Sequence, residues 1–268
     1  MFNDELFIRV GREMRPTAKA QAIAPGIFAA LQQVRQTLQS HQSFVPESDS
    51  RSLAIGSPDY MSFVLLPKLI QHCQQTAPHL NFRTIEFEKD LVGELLEKGT
   101  VDLAIGVFPN PPRQSLCVPL FQEYFMGIAR QNHPALAQKP MTLEVFANLS
   151  HALHTIRRDE IGAIDRVLAQ YNLQRRVALT VPHMLVLPSI IASTDLITVI
   201  PARMAQYFSR VDEIEVFELP IDLAPWTVSL LWSPLSDNDE ASRWLRQTIQ
   251  TLCDKIYSNL RSNLPQTD

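Results

Sequence analysis

Glycine is scarce in this chain, eight residues in 268, and cysteine scarcer still at three. Cys73, Cys117 and Cys253 lie far apart with no CxxC pair, which excludes a disulfide framework and a zinc ribbon. Reduced thiols in a cytoplasmic protein are the reading that remains. No run of about 18 apolar residues exists, so no helical membrane span is expected. The first residues carry charges of both signs and no apolar core, unlike a secretory signal. Positive charge is not in excess: 24 Lys and Arg stand against 28 Asp and Glu, with a pI near 6.0. A protein that wraps nucleic acid with its whole surface would be basic, so this one does not. The enzyme signatures GxSxG, HExxH, GxGxxG and GxxxxGK[ST] are all missing. Nothing points to an enzyme, and no metal site or cofactor is implied.

What is present is rhythm. LFIRV reads as a short strand, with a basic turn at GRE and a second strand after it. RPTAKAQAIAPGIFAALQQVRQTLQS follows as a long helix, with Thr17 at its N-cap. Ala20, Ala24, Ile27, Leu31, Val34 and Leu38 fall at alternating spacings of four and three, the seam of a helix that pairs with another helix. Pro25 interrupts that helix, and the seam keeps its phase across it. HQSFVPESDSR reads as a linker. From Ser52 the order is strand, helix, strand, helix, strand: SLAIGSP with turn residues behind it, YMSFVLLPKLIQHCQQTAP, LNFRTIEFE, DLVGELLEKGTV ended by Gly99, and DLAIGVF. These strands are too apolar to be half exposed, which implies a parallel sheet covered on both faces. VPLFQEYFMGIARQNHPAL carries a strand and a turn. A second series follows from Leu143: LEVFANLSHALHTI, GAIDRVLAQYNLQ, RRVALTV, PHMLVLPSIIAST, DLITVIP and ARMAQYF. The strands VFELP and WTVSLLW and a last helix, DEASRWLRQTIQTLCDKIY, close the chain. Two α/β lobes joined by extended segments have their natural binding site between them, beyond the carboxyl ends of the strands.

With DELFIRVGREMRPTAKAQAIAP at the start and LLWSPLSDNDEASRWLR near the end, the whole chain resembles a LysR-type transcriptional regulator, within it the branch that includes the nodulation-type regulators. The resemblance implies an α/β fold of two Rossmann-like lobes in the periplasmic-binding-protein (type 2) layout, preceded by the wing of a winged helix-turn-helix and a long linker helix. Residues 1–50 would be wing, dimerisation helix and hinge. Residues 51–125 with 230–262 would form lobe 1, and 126–229 lobe 2. It implies a small organic effector in the cleft, aromatic in view of Tyr60, Phe63 and Phe108, and a homo-oligomer held through the linker helix. The helix pair that enters the major groove would lie ahead of Met1. Arg9, Arg12 and Arg15 offer contacts to DNA phosphates, but Asp4, Glu5 and Glu13 nearly cancel them, so the chain as given is expected to bind DNA poorly. A stand-alone solute-binding protein is the alternative; it would share the two-lobe logic but carry an export signal or lipid anchor and no seam helix.

The candidate effector contacts follow from position. Ser57, Asp59 and Tyr60 open a helix after the first strand, where free N–H groups and hydroxyls meet. Gly106 and Phe108 end the third strand. Thr155 ends HALHTI, and His183 sits at a strand-to-helix turn. His151 and His154, three apart on a strand, face opposite sides and form no metal pair. The three cysteines read as small hydrophobes, and Trp226, Trp232 and Trp244 as packing.

Overall fold

A computed structural model describes residues 4–11, 13–39, 43–137, 140–155, 162–211 and 213–261. Phe7–Val10 (β1) and Glu13–Pro16 (β2) form an antiparallel hairpin with Val10 opposite Glu13. The turn begins at Gly11, whose φ of +67° suits a residue without Cβ. The long helix α1 (Ala18–Gln39) starts as expected: Thr17 Oγ1 accepts the Ala20 N–H at 3.2 Å. It continues through Pro25. Ala20 is buried at its base, while Ile27, Phe28, Leu31 and Val34 stand about half exposed. The side chain of Leu38 lies outside the described residues.

Lobe 1 contains β3 (Ser52–Gly56), α2 (Asp59–Thr76), β4 (Asn81–Ile85), α3 (Val92–Glu97), β5 (Leu103–Gly106) and β6 (Leu116–Glu123). Gly99, at φ +61°, closes the α3 turn in the left-handed conformation expected of it. Lobe 2 contains β7 (Phe125–Arg130), α4 (Leu143–Asn148), β8 (Ser150–His154), α5 (Ala163–Gln170), β9 (Arg176–Val181), α6 (Leu187–Ala192), β10 (Thr198–Pro201), α7 (Ala202–Val211) and β11 (Ile214–Phe217). The chain then returns to lobe 1 with β12 (Trp226–Trp232) and α8 (Glu240–Arg261).

The lobe 1 sheet runs β4-β3-β5-β12-β6. Its first three strands are parallel, and β12 is antiparallel to both β5 and β6. In lobe 2, β7 lies between β10 and β11, all antiparallel, and β8 pairs parallel with β9. A bridge from His151 to Ile197 joins the two groups, with the Ala152 N–H donating to the Ile197 carbonyl at 2.9 Å. Each sheet buries apolar side chains under its helices: Leu65 and Leu69 of α2 and Leu245 and Ile249 of α8 meet Ile55, Ile105 and Leu230 of the first sheet. Phe146, Ile164 and Leu168 pack against Ala129 and Ile197 in the second.

Two details depart from the sequence reading. VPLFQEYFMGIARQNHPAL holds two strands before its turn, where one was expected. They are split at Tyr124, where the chain crosses between lobes without glycine or proline to mark the break. The return crossing ends before Trp226, because β12 pairs along its whole length with β6, so the boundary expected between residues 229 and 230 falls inside a lobe 1 strand.

Candidate functional site

Parallel strands with short connections bring their carboxyl ends to one edge, and the edge after β3 meets the edge after β9 where Asp59 accepts the Met184 N–H. On the lobe 1 side the chain leaves β3 through Ser57 and Pro58 into α2. Ser57 is buried; its N–H donates to the Ile85 carbonyl at 3.0 Å and its hydroxyl receives the Ser62 hydroxyl at 3.1 Å. Asp59 opens the helix, and its Oδ1 accepts the Tyr60 N–H at 2.6 Å. Its Oδ2 reaches the other lobe, accepting the Met184 N–H at 2.8 Å where the chain enters the 3₁₀ turn before α6. Asp59 is therefore engaged across the cleft by main chain from the opposite wall.

Tyr60 points away from the rim. Its ring is buried and its hydroxyl donates to the carboxylate of Glu123, the last residue of β6. The same carboxylate accepts Arg203 Nη1 at 2.6 Å, from the first turn of α7 in lobe 2. Burial, reinforced by the Glu123 charge, pushes the Tyr60 phenol far above its ordinary range, so it is a hydrogen-bond donor at any working pH. Strand alternation puts Phe121 and Glu123 on the inner face of β6 and Gln122 outside. The Arg203 guanidinium lies 4.3 Å from the centroid of the Phe121 ring.

On the lobe 2 side, the ends of β8 and β9 supply His154, Thr155, Pro182 and His183. Thr155 donates its N–H to the Val181 carbonyl at 3.0 Å. His154 Nε2 lies 3.2 Å from the Pro182 carbonyl, an acceptor only, so that nitrogen carries its proton. Burial holds the His154 pKa below its ordinary value, although Asp59 and Glu86 act in the opposite sense. Asp59, Glu86 and His183 are thus near enough to act on His154 electrostatically. His183 is exposed at the start of the 3₁₀ turn. His154 and Glu86 were not singled out as site residues in the sequence; the signal that points to them is that each stands at or just past the carboxyl end of a parallel strand.

Gly106 and Phe108 take a different place. The Phe108 ring folds back over Gly106, where a Cβ would stand 3.0 Å from Cζ. It stacks on Phe87 with centroids 6.1 Å apart and lies in the cluster with Val92, Leu96 and Val101 beneath α3. The ring is an inner packing residue of lobe 1 rather than an open wall.

The remaining candidates separate in the same way. His151 is fully buried in lobe 2, with Nε2 2.9 Å from the Phe146 carbonyl, while His154 is at the rim, so the pair is split as alternation requires. No group of three or more metal-ligating side chains occurs among the described residues. Burial pushes the thiols of Cys73 and Cys253 up to about 11 and about 12, leaving them protonated core residues. Trp226 packs on Phe125 at 4.1 Å beside the crossover. On the hairpin, Arg9 stands opposite Met14 and Arg15 opposite Ile8. Adjacent cross-strand pairs point to opposite faces, so Arg9 and Arg15 do not share one. Arg12 lies outside the described residues. No described helix is long and apolar enough to cross a membrane.

Residues 46–254 match the LysR substrate binding domain. The chain is 30% identical over 244 residues to the HTH-type transcriptional activator NagR of Ralstonia sp, covering 91% of this chain and 81% of NagR. It is 32% identical over 250 residues to the HTH-type transcriptional regulator SyrM of Rhizobium meliloti, covering 93% and 76%. Among solved structures, a probable transcriptional regulator from Pseudomonas aeruginosa superposes with a TM-score of 0.75 at 31% identity, covering 92% of this chain and 81% of that one.

Proposed function

The chain belongs to the LysR-type transcriptional regulators and carries their effector-binding domain, and from that premise we propose that it senses a small organic molecule in the cleft between its two lobes. The observation that carries this reading is the convergence of Asp59, His154, Thr155 and His183 at the facing strand ends, with a hydrogen bond, Asp59 to Met184, already crossing the gap. A ligand that fits one spacing of the walls better than another shifts the population of lobe arrangements, and only that differential affinity does so. Ser57 supports the wall from behind. Phe63 is taken up by packing on Tyr207 and Phe208 of α7, so an aromatic guest is the reading the family resemblance supports. The half-exposed seam Ile27, Leu31 and Val34, continuing from Ala20 and Ala24, is the surface through which α1 pairs with a second copy. Arg9 and Arg15 lie on opposite hairpin faces, and Arg15 is paired with Glu13 at 3.4 Å.

A thermal-shift panel of aromatic acids and phenolics tests the sensing role, because a ligand that prefers the folded state raises the melting temperature. We expect a subset to do so, and H183W, which hangs an indole over the cleft edge, to weaken that response. A panel without effect, or shifts that H183W leaves intact, would refute the cleft as the site.

A further inference from the structure

The first turn of α2 is fastened to lobe 2 on two flanks. Asp59 accepts the Met184 N–H across the cleft at 2.8 Å. Tyr60, the next residue, donates to Glu123, which in turn receives Arg203 Nη1 at 2.6 Å. Glu123 has no exposed side-chain area and the Arg203 side chain only 8%, so the junction is sealed from solvent. It sits one residue before Tyr124, where the chain passes between lobes. Arg203 also donates to the Gln122 carbonyl at 3.1 Å, which fixes the guanidinium to the strand end. A buried ion pair of this kind is poor evidence for stability alone, since removing two charges from water offsets much of their attraction. Nor is the junction saturated: the Tyr124 hydroxyl and Arg203 Nε are buried with no hydrogen-bond partner. A lobe arrangement that pairs these donors gains what this one lacks, the condition for a junction with two settings.

We infer that Glu123 is a positioning residue: through Tyr60 it sets the tilt of the first turn of α2, and with it the Asp59–Met184 bond that holds the lobes together over the cleft. Asp59 and Tyr60 are consecutive in one helical turn, and the Asp59 carboxylate also accepts the Tyr60 N–H at 2.6 Å, so neither moves alone. This rests on the cleft being the effector site, yet it is tested without an effector, so the two readings fail separately.

The test is amide exchange at Met184 in the full chain, referred to the core amides of β5. D59N removes the charge that holds the Met184 N–H and sets the scale. Y60F and E123Q leave Asp59 intact. The inference expects both to speed exchange at Met184 on the order of tenfold, towards D59N, without a matching rise in β5. If E123Q does not fold, Y60F decides. The double variant E123L/R203M replaces the ion pair with apolar side chains; it should recover the melting temperature but not the Met184 protection. Wild-type exchange at Met184 in Y60F, or protection regained in E123L/R203M, would overturn the inference and leave the triad as packing.

Discussion

Replacing His151 by glutamine should flatten the acid limb of the stability curve. His151 is fully buried near the start of β8. Its Nε2 faces the Phe146 carbonyl at 2.9 Å and its Nδ1 lies 3.5 Å from Arg175 Nη1. A neutral ring protonated at Nε2 satisfies both, and its edge meets the Phe146 ring at 4.8 Å and 82°. Burial pushes its pKa from 6.5 down to about 4; the Phe146 bond opposes the shift and the Arg175 charge adds to it. The unfolded chain takes up this proton near pH 6.5 and the folded chain only near pH 4, so the contribution is fully present above pH 6.5 and is lost as pH falls towards 4. At about 1.36 kcal/mol per pKa unit, that loss is about 3 kcal/mol. H151Q keeps a donor for the Phe146 carbonyl and has nothing to protonate. Urea unfolding of both proteins between about pH 7.5 and pH 4 measures the difference. His154 also has a lowered pKa, but it titrates in both proteins and cancels. Wild type should lose about 3 kcal/mol more than H151Q over that interval. Parallel curves would mean that the ring is not held neutral, and would refute the argument.

Three further outcomes follow from particular contacts. In G127A the new methyl would stand 2.3 Å from the Phe217 ring in the middle strand of lobe 2, so the ring must move, and overpacking should cost about 1–3 kcal/mol by thermal or urea unfolding; an unchanged midpoint would mean that Phe217 has room the structure does not show. I27D/L31D puts two carboxylates on the half-exposed seam of α1 and should lower the mass measured by sedimentation without lowering the melting temperature; equal masses would exclude that seam as the contact between copies. F108A should cost roughly 3–5 kcal/mol of stability, as for a buried aromatic, while the relative ligand response in the thermal-shift panel persists; a variant of normal stability that loses only the response would place the ring in the site after all.

The order of strands and helices was legible because each β-α unit carries its own punctuation. Thr17 caps α1, Gly99 ends α3, and the apolar runs LAIG of β3 and β5 read as buried parallel strands. The crossover at Tyr124 was not legible: β-branched and aromatic residues run on from β6 into β7, and what separates them is pairing with different sheets, a tertiary choice. The same limit governs the site. Asp59 and His183 stand at turns that sequence marks, and the structure has both beside the contact between the two lobes at Met184. Tyr60 was read as a rim hydroxyl because nothing near it predicts Glu123, which lies 63 residues on, or Arg203, a further 80. Phe108 looked like a wall because it follows a strand end. Gly106, by lacking a Cβ, lets that ring turn inward. His154 was weighed only beside His151, where alternation dismissed the pair, and its own place beside Asp59 and Glu86 emerged only when the lobes were set face to face.

The two fastenings on α2 also bear on what an effector must supply. A molecule that enters between Asp59 and Met184 replaces one charge-assisted hydrogen bond, worth about 1.5–3 kcal/mol net. Matching that bond on both sides only restores what was there. Carrying a two-state equilibrium from one extreme to the other takes a difference of roughly 5.5 kcal/mol between the states. The surplus must come from apolar surface buried in one arrangement and not the other. At about 25 cal/mol per Å², an aromatic ring that buries 150–250 Å² is of the right order. A small polar solute that met the cleft only through Asp59 and His154 would bind and yet leave the lobes where they are. An aromatic guest braced against the first turn of α2 would press on Asp59 and Tyr60 together, and through Glu123 on Arg203 at the head of α7.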